Sequence, residues 1–319
     1  MTDKLIKIGV SSCLLGEKVR YDGGHKNDTY IACTLAEYFQ FIPFCPETSI
    51  GLGVPRDPIR LVNFGGDIRC VGAQDPSLDV TEKLNQCAEA QRHWHNELCG
   101  YLFKKDSPSC GMEHVKVFSG TTSKNAGSEE SSGLYAKRLM ENFPLLPCEE
   151  EGRLGNAILR ENFIQRVYIY HRWKSLQQED FTADKLMQFH SQHKLIAMSH
   201  DQNAAHELGR IVASSNIEPL SQVAANYIAL LMPTLKQIAT QDNHANVLQH
   251  VQGYLKKQLN ADDKKELSEA IENYRQGDLP LIIPLTLLKH HFRKSPDHFI
   301  DQSYYMSPSP AELKLTNTL

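Results

Sequence analysis

The chain is expected to fold as an α/β unit on a mostly parallel sheet, followed by an all-α unit. Three observations predict this. Short apolar runs alternate with helical spacing through the first half of the 319 residues. Beyond residue 156 only helical spacing recurs, with apolar residues three or four apart. All eight cysteines lie in the first 148 residues, whereas ten of the fourteen histidines follow residue 157. A chain of this length fits roughly two domains of about 150 residues each. The change of pattern sets their expected extents at 1–155 and 156–319.

Residues 5–10 are an apolar run that stops at Ser11-Ser12-Cys13, a strand followed by a loop. Residues 29–40 carry helical spacing, and 41–44 form a second strand ending at Cys45-Pro46-Glu47. Residues 60–63 and 67–71 flank Gly65-Gly66, a hairpin signal. A long polar helix is expected over 79–97, with Asp79 or Thr81 as its cap. A strand over 100–103 runs into Lys104-Lys105-Asp106-Ser107-Pro108-Ser109-Cys110-Gly111. Residues 120–133 hold almost no apolar side chain and read as a flexible excursion. A helix over 134–142 and a strand over 143–147 complete the unit. Strands alternating with helices imply a Rossmann-like, mostly parallel sheet. The second half reads as helices over 156–178, 183–199, 203–214, 220–240, 244–258, 262–275 and 285–294.

Hydrophobic residues make up 41% and charged residues 23%, an ordinary globular balance that excludes disordered, collagen-like and coiled-coil chains. The most apolar short run, residues 280–288, carries two prolines. A bilayer span needs about 20 apolar residues, so no transmembrane helix is expected. The opening MTDKLIKIGVSSC is too short in apolar residues for a secretory leader, and the protein is expected in the cytoplasm. The net charge of −4 supplies no bulk attraction to nucleic acid or membrane, and residues 158–319 are net neutral.

Cys13, Cys45 and Cys110 each stand just past a predicted strand. In an open parallel sheet the carboxyl ends of the strands share one edge, which holds the ligand crevice. Thiols distant in sequence can meet there, and three of them suit zinc or an iron–sulfur cluster. The competing reading is burial as small apolar side chains, because no C-x2-C pair is present. Cys33, Cys70, Cys87 and Cys99 read as packing residues; Cys148 stays open between fourth ligand, bystander and source of reducing equivalents. Glu47 and Ser107 share the same loops. They suit proton transfer and nucleophilic or relay work, or simply loop capping.

The motifs Ser11-Ser12-Cys13-Leu14-Leu15-Gly16, Arg20-Tyr21-Asp22-Gly23, Cys45-Pro46-Glu47, Pro55-Arg56, Asp79-Val80-Thr81 and Ser107-Pro108-Ser109-Cys110-Gly111 resemble those of the two-thiouracil desulfurase (TudS) family over about residues 5–155. The second half resembles the YbgA-like helical domain through Gln192-His193-Lys194, Leu208-Gly209-Arg210, HANVLQHVQGY from His244, Tyr274-Arg275-Gln276-Gly277 and PLIIPLTLL from Pro280. The resemblance implies a [4Fe–4S] cluster on Cys13, Cys45 and Cys110 with one open iron, a catalytic carboxyl at Glu47 and a catalytic hydroxyl at Ser107. Two-domain members of this kind are similar to desulfidases acting on 4-thiouridine in tRNA, so thiolated tRNA is the expected substrate. Sulfide release would be hydrolytic, with no net electron transfer. Lys256, Lys257, Arg275, Lys289, Arg293 and Lys294 are candidate phosphate contacts, with Tyr254 or Tyr274 for stacking. A plain solvated helix face competes with that reading, and His190 and His193 read as satisfied surface residues. Two rival functions remain. One is a desulfurase of free thiouracil or other small thiopyrimidines whose helical half dimerises. The other is a non-enzymatic iron–sulfur protein that senses redox state and binds RNA.

Overall fold

The computed structural model describes residues 5–120, 126–178 and 180–308. The chain divides into two compact units, 1–155 and 156–319.

The first unit runs β1 (Ile6–Ser11), β2 (Phe39–Phe44), α1 (Pro46–Ser49), β3 (Ile59–Phe64), β4 (Asp67–Gly72), α2 (Thr81–Ala90), α3 (Arg92–His95), β5 (Gly100–Phe103), β6 (Val115–Phe118), β7 (Ala126–Ser131), α4 (Leu134–Asn142) and β8 (Cys148–Glu150). One sheet has the order β2-β1-β5-β8 and is parallel throughout. Its central strands β1 and β5 are largely apolar and buried, as parallel strands inside a sheet are, whereas β2 at one edge is partly exposed and β8 at the other is Cys-Glu-Glu. Ile8, Val10, Leu102 and Phe103 are fully buried. Gly9 has a steric reason: a Cβ there would stand 2.3 Å from the Tyr101 ring, which packs across β1.

The second sheet, β4-β3-β6-β7, is mixed. β3 and β4 form the expected antiparallel hairpin around Gly65-Gly66, both with positive φ. β6 and β7 are strands that the sequence pattern does not announce. Residues 121–125 of the polar segment lie outside the described residues, but Ala126–Ser131 is a strand, antiparallel to Val115–Phe118. Its place at the sheet edge explains the absence of apolar alternation.

Three boundaries also differ from expectation. Residues 29–40 are not one helix. Tyr30–Thr34 forms a π turn and Leu35–Glu37 a 3-10 turn, because Phe39 onward is taken up by the ladder with β1. Within 79–97 the helix breaks at Gln91 into α2 and α3. Neither Asp79 nor Thr81 caps the helix: the N-cap is Val80, with no side-chain cap bond, and Asp79 one residue earlier accepts the Thr81 N–H on Oδ1 at 3.0 Å in a local turn. The last strand starts at Cys148, after Pro147 rather than before it. Prolines at 144 and 147 lack the N–H that a central ladder needs.

The second unit is helical: α5 (Ala157–Gln178), α6 (Ala183–His200), α7 (Gln202–Ala213), α8 (Leu220–Lys236), α9 (Gln241–Tyr254), α10 (Ala261–Gln276), α11 (Ile282–Lys294) and α12 (His298–Gln302). Side-chain caps set several starts: Thr182, Asp201, Thr240, Asn260 and Asp297 each accept a backbone N–H of the first turn. α10 ends on Gly277 at φ +86°, the left-handed C-cap that glycine permits. Trp173, Phe189 and Tyr227 pack as an aromatic cluster within its core. No described helix is long and apolar enough to cross a membrane.

Candidate active site

β1, β2 and β5 are the adjacent strands of the parallel sheet, and each ends in a loop that carries one of the predicted cysteines. After β1, Ser12–Leu15 forms a 3-10 turn holding Cys13, closed by Gly16 at φ +89°. After β2, Cys45 caps α1 with its carbonyl, which accepts the Ser49 N–H (3.1 Å) and the Thr48 hydroxyl (3.1 Å). Pro46 follows at the first helical position, where its missing N–H costs nothing. This turn brings Glu47 round onto the cleft side. After β5, the loop is pinned to β1 by the Lys104 N–H, which donates to Ser11 Oγ at 3.0 Å. Lys104 Nζ pairs with Glu151 at 2.5 Å. Gly111 N–H donates to the Ser107 carbonyl (2.8 Å) and Cys110 N–H to Ser107 Oγ (3.1 Å), so the loop folds tightly over Cys110. Gly133 packs against this turn, and a Cβ there would lie 2.6 Å from the Ser109 backbone.

Cys13, Cys45, Cys110, Glu47 and Ser107 together line one cleft of about 630 Å³, along with Arg20, Tyr21, Arg56 and Lys104. The five residues expected from sequence to share a site therefore border the same space. Burial, followed by the charge of neighbouring Cys45, pushes the Cys13 thiol up to about 11. The Cys110 thiol is raised for the same two reasons, then by Glu47. Bare thiolates are disfavoured here, and a cation among them would relieve both effects. Among the described residues no group of three or more His, Cys, Asp and Glu side chains is spaced to hold a single metal ion.

The carboxylate is held on both oxygens. Arg56 Nη2 (2.6 Å) and Nε (3.0 Å) donate to Glu47 Oε2, and the Ser109 hydroxyl donates to Oε1 at 2.6 Å. Arg56 itself is nearly buried, so this is a charge-assisted fork shielded from water. Ser109 and Arg56 carry no expected role from sequence, although both lie inside motifs that stand out. The readable signal for Ser109 is its position between Ser107 and Cys110.

The remaining cysteines divide. Cys70, Cys87 and Cys99 are buried as packing residues should be. Cys33 is exposed, against expectation, because only Ile31 of its π turn faces the core. Cys148 is buried in β8 in register with Tyr101 and is not among the cleft residues.

In the helical unit the six basic candidates are all exposed. Lys256 and Lys257 follow α9, and Lys289, Arg293 and Lys294 lie on α11. Arg275 is bound to Glu272 on its own helix through Nη2 (2.7 Å) and Nε (3.0 Å). Tyr274 is only 5% exposed and is withdrawn as a stacking residue, because its ring is used in the core. Tyr254 is exposed and stacks on Phe299. His193 is buried, not a surface residue, with Nδ1 bonded to the Phe189 carbonyl at 2.7 Å. His190 Nδ1 meets the Tyr227 hydroxyl at 3.2 Å.

Fold and site define an α/β protein with a thiol-lined cleft at the carboxyl edge of a parallel sheet. The family model described as 2-thiouracil desulfurase matches residues 8–151. A second model, a protein of unknown function designated DUF1722, matches 194–310. The chain belongs to the 2-thiouracil desulfurase family, in a two-domain form whose second part is YbgA-like. The uncharacterized protein YbgA of Escherichia coli is 29% identical over 154 residues, covering 48% of this chain and 91% of YbgA. The uncharacterized protein YbbK of Bacillus subtilis is 30% identical over 122 residues, covering 36% of this chain and 78% of YbbK. A solved structure of the [4Fe-4S]-dependent thiouracil desulfidase TudS is 28% identical, covering 47% of this chain and 93% of that one, with a TM-score of 0.38.

Proposed function

We propose that this protein is an iron–sulfur desulfidase that converts 4-thiouridine in tRNA to uridine and releases sulfide. One observation carries the reading: three thiols, a carboxylate and a hydroxyl, drawn from separate loops, line a single cleft. Membership of the 2-thiouracil desulfurase family supports it. Cys13, Cys45 and Cys110 would hold a [4Fe–4S] cluster. The donor set fits, since such clusters take thiolates, and the Cys13 and Cys110 thiols are raised by burial and by the neighbouring Cys45. A cluster takes each thiolate on a separate iron, so its ligands need not crowd round one ion. With Cys148 outside the cleft, Cys13, Cys45 and Cys110 would be the thiols that hold the cluster, and one iron would be left for substrate. When bound, the cluster supplies a Lewis acid for the soft thiocarbonyl sulfur.

The chain's own residues do the rest. Arg56 holds the Glu47 carboxylate in place, ready to accept a proton at Oε1. Ser107 Oγ stands on the cleft wall, available as nucleophile or as the group that orients water. Exchange of sulfur for the oxygen of water needs no electrons, so no reductant enters. The exposed cations Lys256, Lys257, Lys289, Arg293 and Lys294 would contact RNA phosphates, with Arg275 contributing less because Glu272 holds it.

A second reading, desulfuration of the free base, is favoured by the family's own description, which names 2-thiouracil. The deciding measurement is sulfide release by the full chain, reconstituted without oxygen, from thiolated tRNA and from free thiopyrimidines. Release at least tenfold faster from tRNA is expected. Equal or faster release from the free base overturns the tRNA assignment, and none from either overturns the enzyme.

A further inference from the structure

Ser109 lies between the cleft's carboxylate, its hydroxyl and one of its thiols. Its side chain is fully buried. Its Oγ lies 2.6 Å from Glu47 Oε1, 3.1 Å from Ser107 Oγ and 3.6 Å from Cys110 Sγ. Its carbonyl accepts the Ala136 N–H at 3.1 Å, which fastens the turn to α4.

The direction of these bonds follows from what each group can donate. The Cys110 N–H is only a donor, so Ser107 Oγ accepts from it at 3.1 Å. A carboxylate held by Arg56 only accepts. Ser109 has one proton and three nearby acceptors, and the shortest bond, to a charged oxygen, takes it. The Ser109 oxygen is then left as the acceptor for the Ser107 proton. The order runs from the Cys110 N–H to Ser107, from Ser107 to Ser109, and from Ser109 to Glu47.

We infer that Ser109 is a positioning residue for the desulfuration chemistry: its buried hydroxyl locks Glu47 Oε1 and Ser107 Oγ into one hydrogen-bonded line, fixing where each points. The inference deepens the function proposed above and rests on it. The bonds from Ser107 and to Glu47 meet at the Ser109 hydroxyl, so Ser109 is the part that makes the two act together.

The test uses the full chain with its cluster reconstituted. S109A removes a hydroxyl without adding bulk. It should keep the cluster absorbance per protein and leave KM within about twofold, while kcat falls about ten- to a hundredfold, the range for removing a hydrogen bond to a charged group. In an E47Q background S109A should cost nothing more, because the two act as one unit. A second readout needs no turnover: the infrared carboxylate band that disappears in E47Q should shift in S109A, with or without the cluster. Full kcat in S109A, additive losses in the double variant, an unmoved band, or disappearance of the cluster absorbance would each overturn the assignment. Absence of sulfide release by the wild type would instead strike the proposed function, and the band would still report on Ser109 and Glu47.

Discussion

The two units bury polar groups for different ends. In the sheet unit Ser11, Ser12 and Ser109 are buried at the carboxyl edge of the parallel strands, and Ser11 and Ser109 bond toward loops that carry cysteines. In the helical unit Asn162, His193, Ser199 and His200 are equally buried, yet their bonds run along or between helices. His200, for example, bonds the Gln237 carbonyl through Nδ1 (2.6 Å) and Gln165 through Nε2 (2.9 Å). Residue type alone does not separate these cases. What separates them is where the group sits relative to the cleft: Ser11 and Ser12 line it, and Ser109 bonds to Glu47 and Ser107, which do.

The sharpest way to break the comparison is to remove one thiol. Cys13→Ala should abolish both the visible absorbance of the thiolate-bound cluster and sulfide release; a variant that keeps both removes Cys13 from the site. Next in size, Glu47→Ala should keep the absorbance and reduce turnover about 10²- to 10⁴-fold, the usual reach of one proton-transfer group. Unchanged turnover would detach Glu47 from the chemistry.

Acid should separate the units. Burial holds His193 and His244 down to about 3, and His190 and His200 to about 4, against an ordinary 6.5. These imidazoles stay neutral in the fold and take protons in the unfolded chain. Stability therefore falls as pH drops through 6.5 and keeps falling to about 4, by at most about 1.4 kcal/mol per pH unit for each group. The sheet unit has one such residue among those described, His95, held to about 4. The two tryptophans, Trp94 and Trp173, fall one in each unit. In single Trp→Phe variants the Trp173 signal should lose thermal stability between pH 7 and 5 faster than the Trp94 signal; equal losses would contradict the difference. The smallest effect concerns the exposed cations. Replacing Lys256 and Lys257 by Ala should leave the melting temperature within a degree or two (~1–2 °C for surface changes). The slope of log affinity for tRNA against log salt should flatten by roughly one for each phosphate no longer neutralised. An unchanged slope places RNA binding elsewhere.

Much of the fold and site is legible in the sequence, and the exceptions have physical causes. Cysteines just past apolar runs, together with the rule that parallel strands share an edge, are enough to bring residues 13, 45 and 110 to one place. Seven helices of the second unit follow from apolar spacing, whereas α12 (His298–Gln302) does not, because five residues are too few to show a period. β7 stays hidden because an edge strand of Ser and Glu has no alternating face to read. The 29–40 helix fails because pairing of Phe39–Phe44 with β1 outweighs local helical preference. Burial of His193 is invisible to periodicity, which does not reveal that Phe189 and Tyr304 close over it. The place of Ser109 between Ser107 and Cys110 marks it, but its role does not show in sequence, because its bond to Glu47 joins residues 62 apart.

The order β2-β1-β5 has one more consequence. Backbone pairing sets neighbouring strands about 4.8 Å apart, so the sheet acts as a ruler for whatever sits on its rim. Separations of 32 residues (Cys13 to Cys45) and 97 residues (Cys13 to Cys110) along the chain collapse into neighbouring marks on that ruler. Insertions in the intervening helices can lengthen the polypeptide freely without moving the marks, whereas a one-residue slip of β1 between its neighbours would displace the whole gauge.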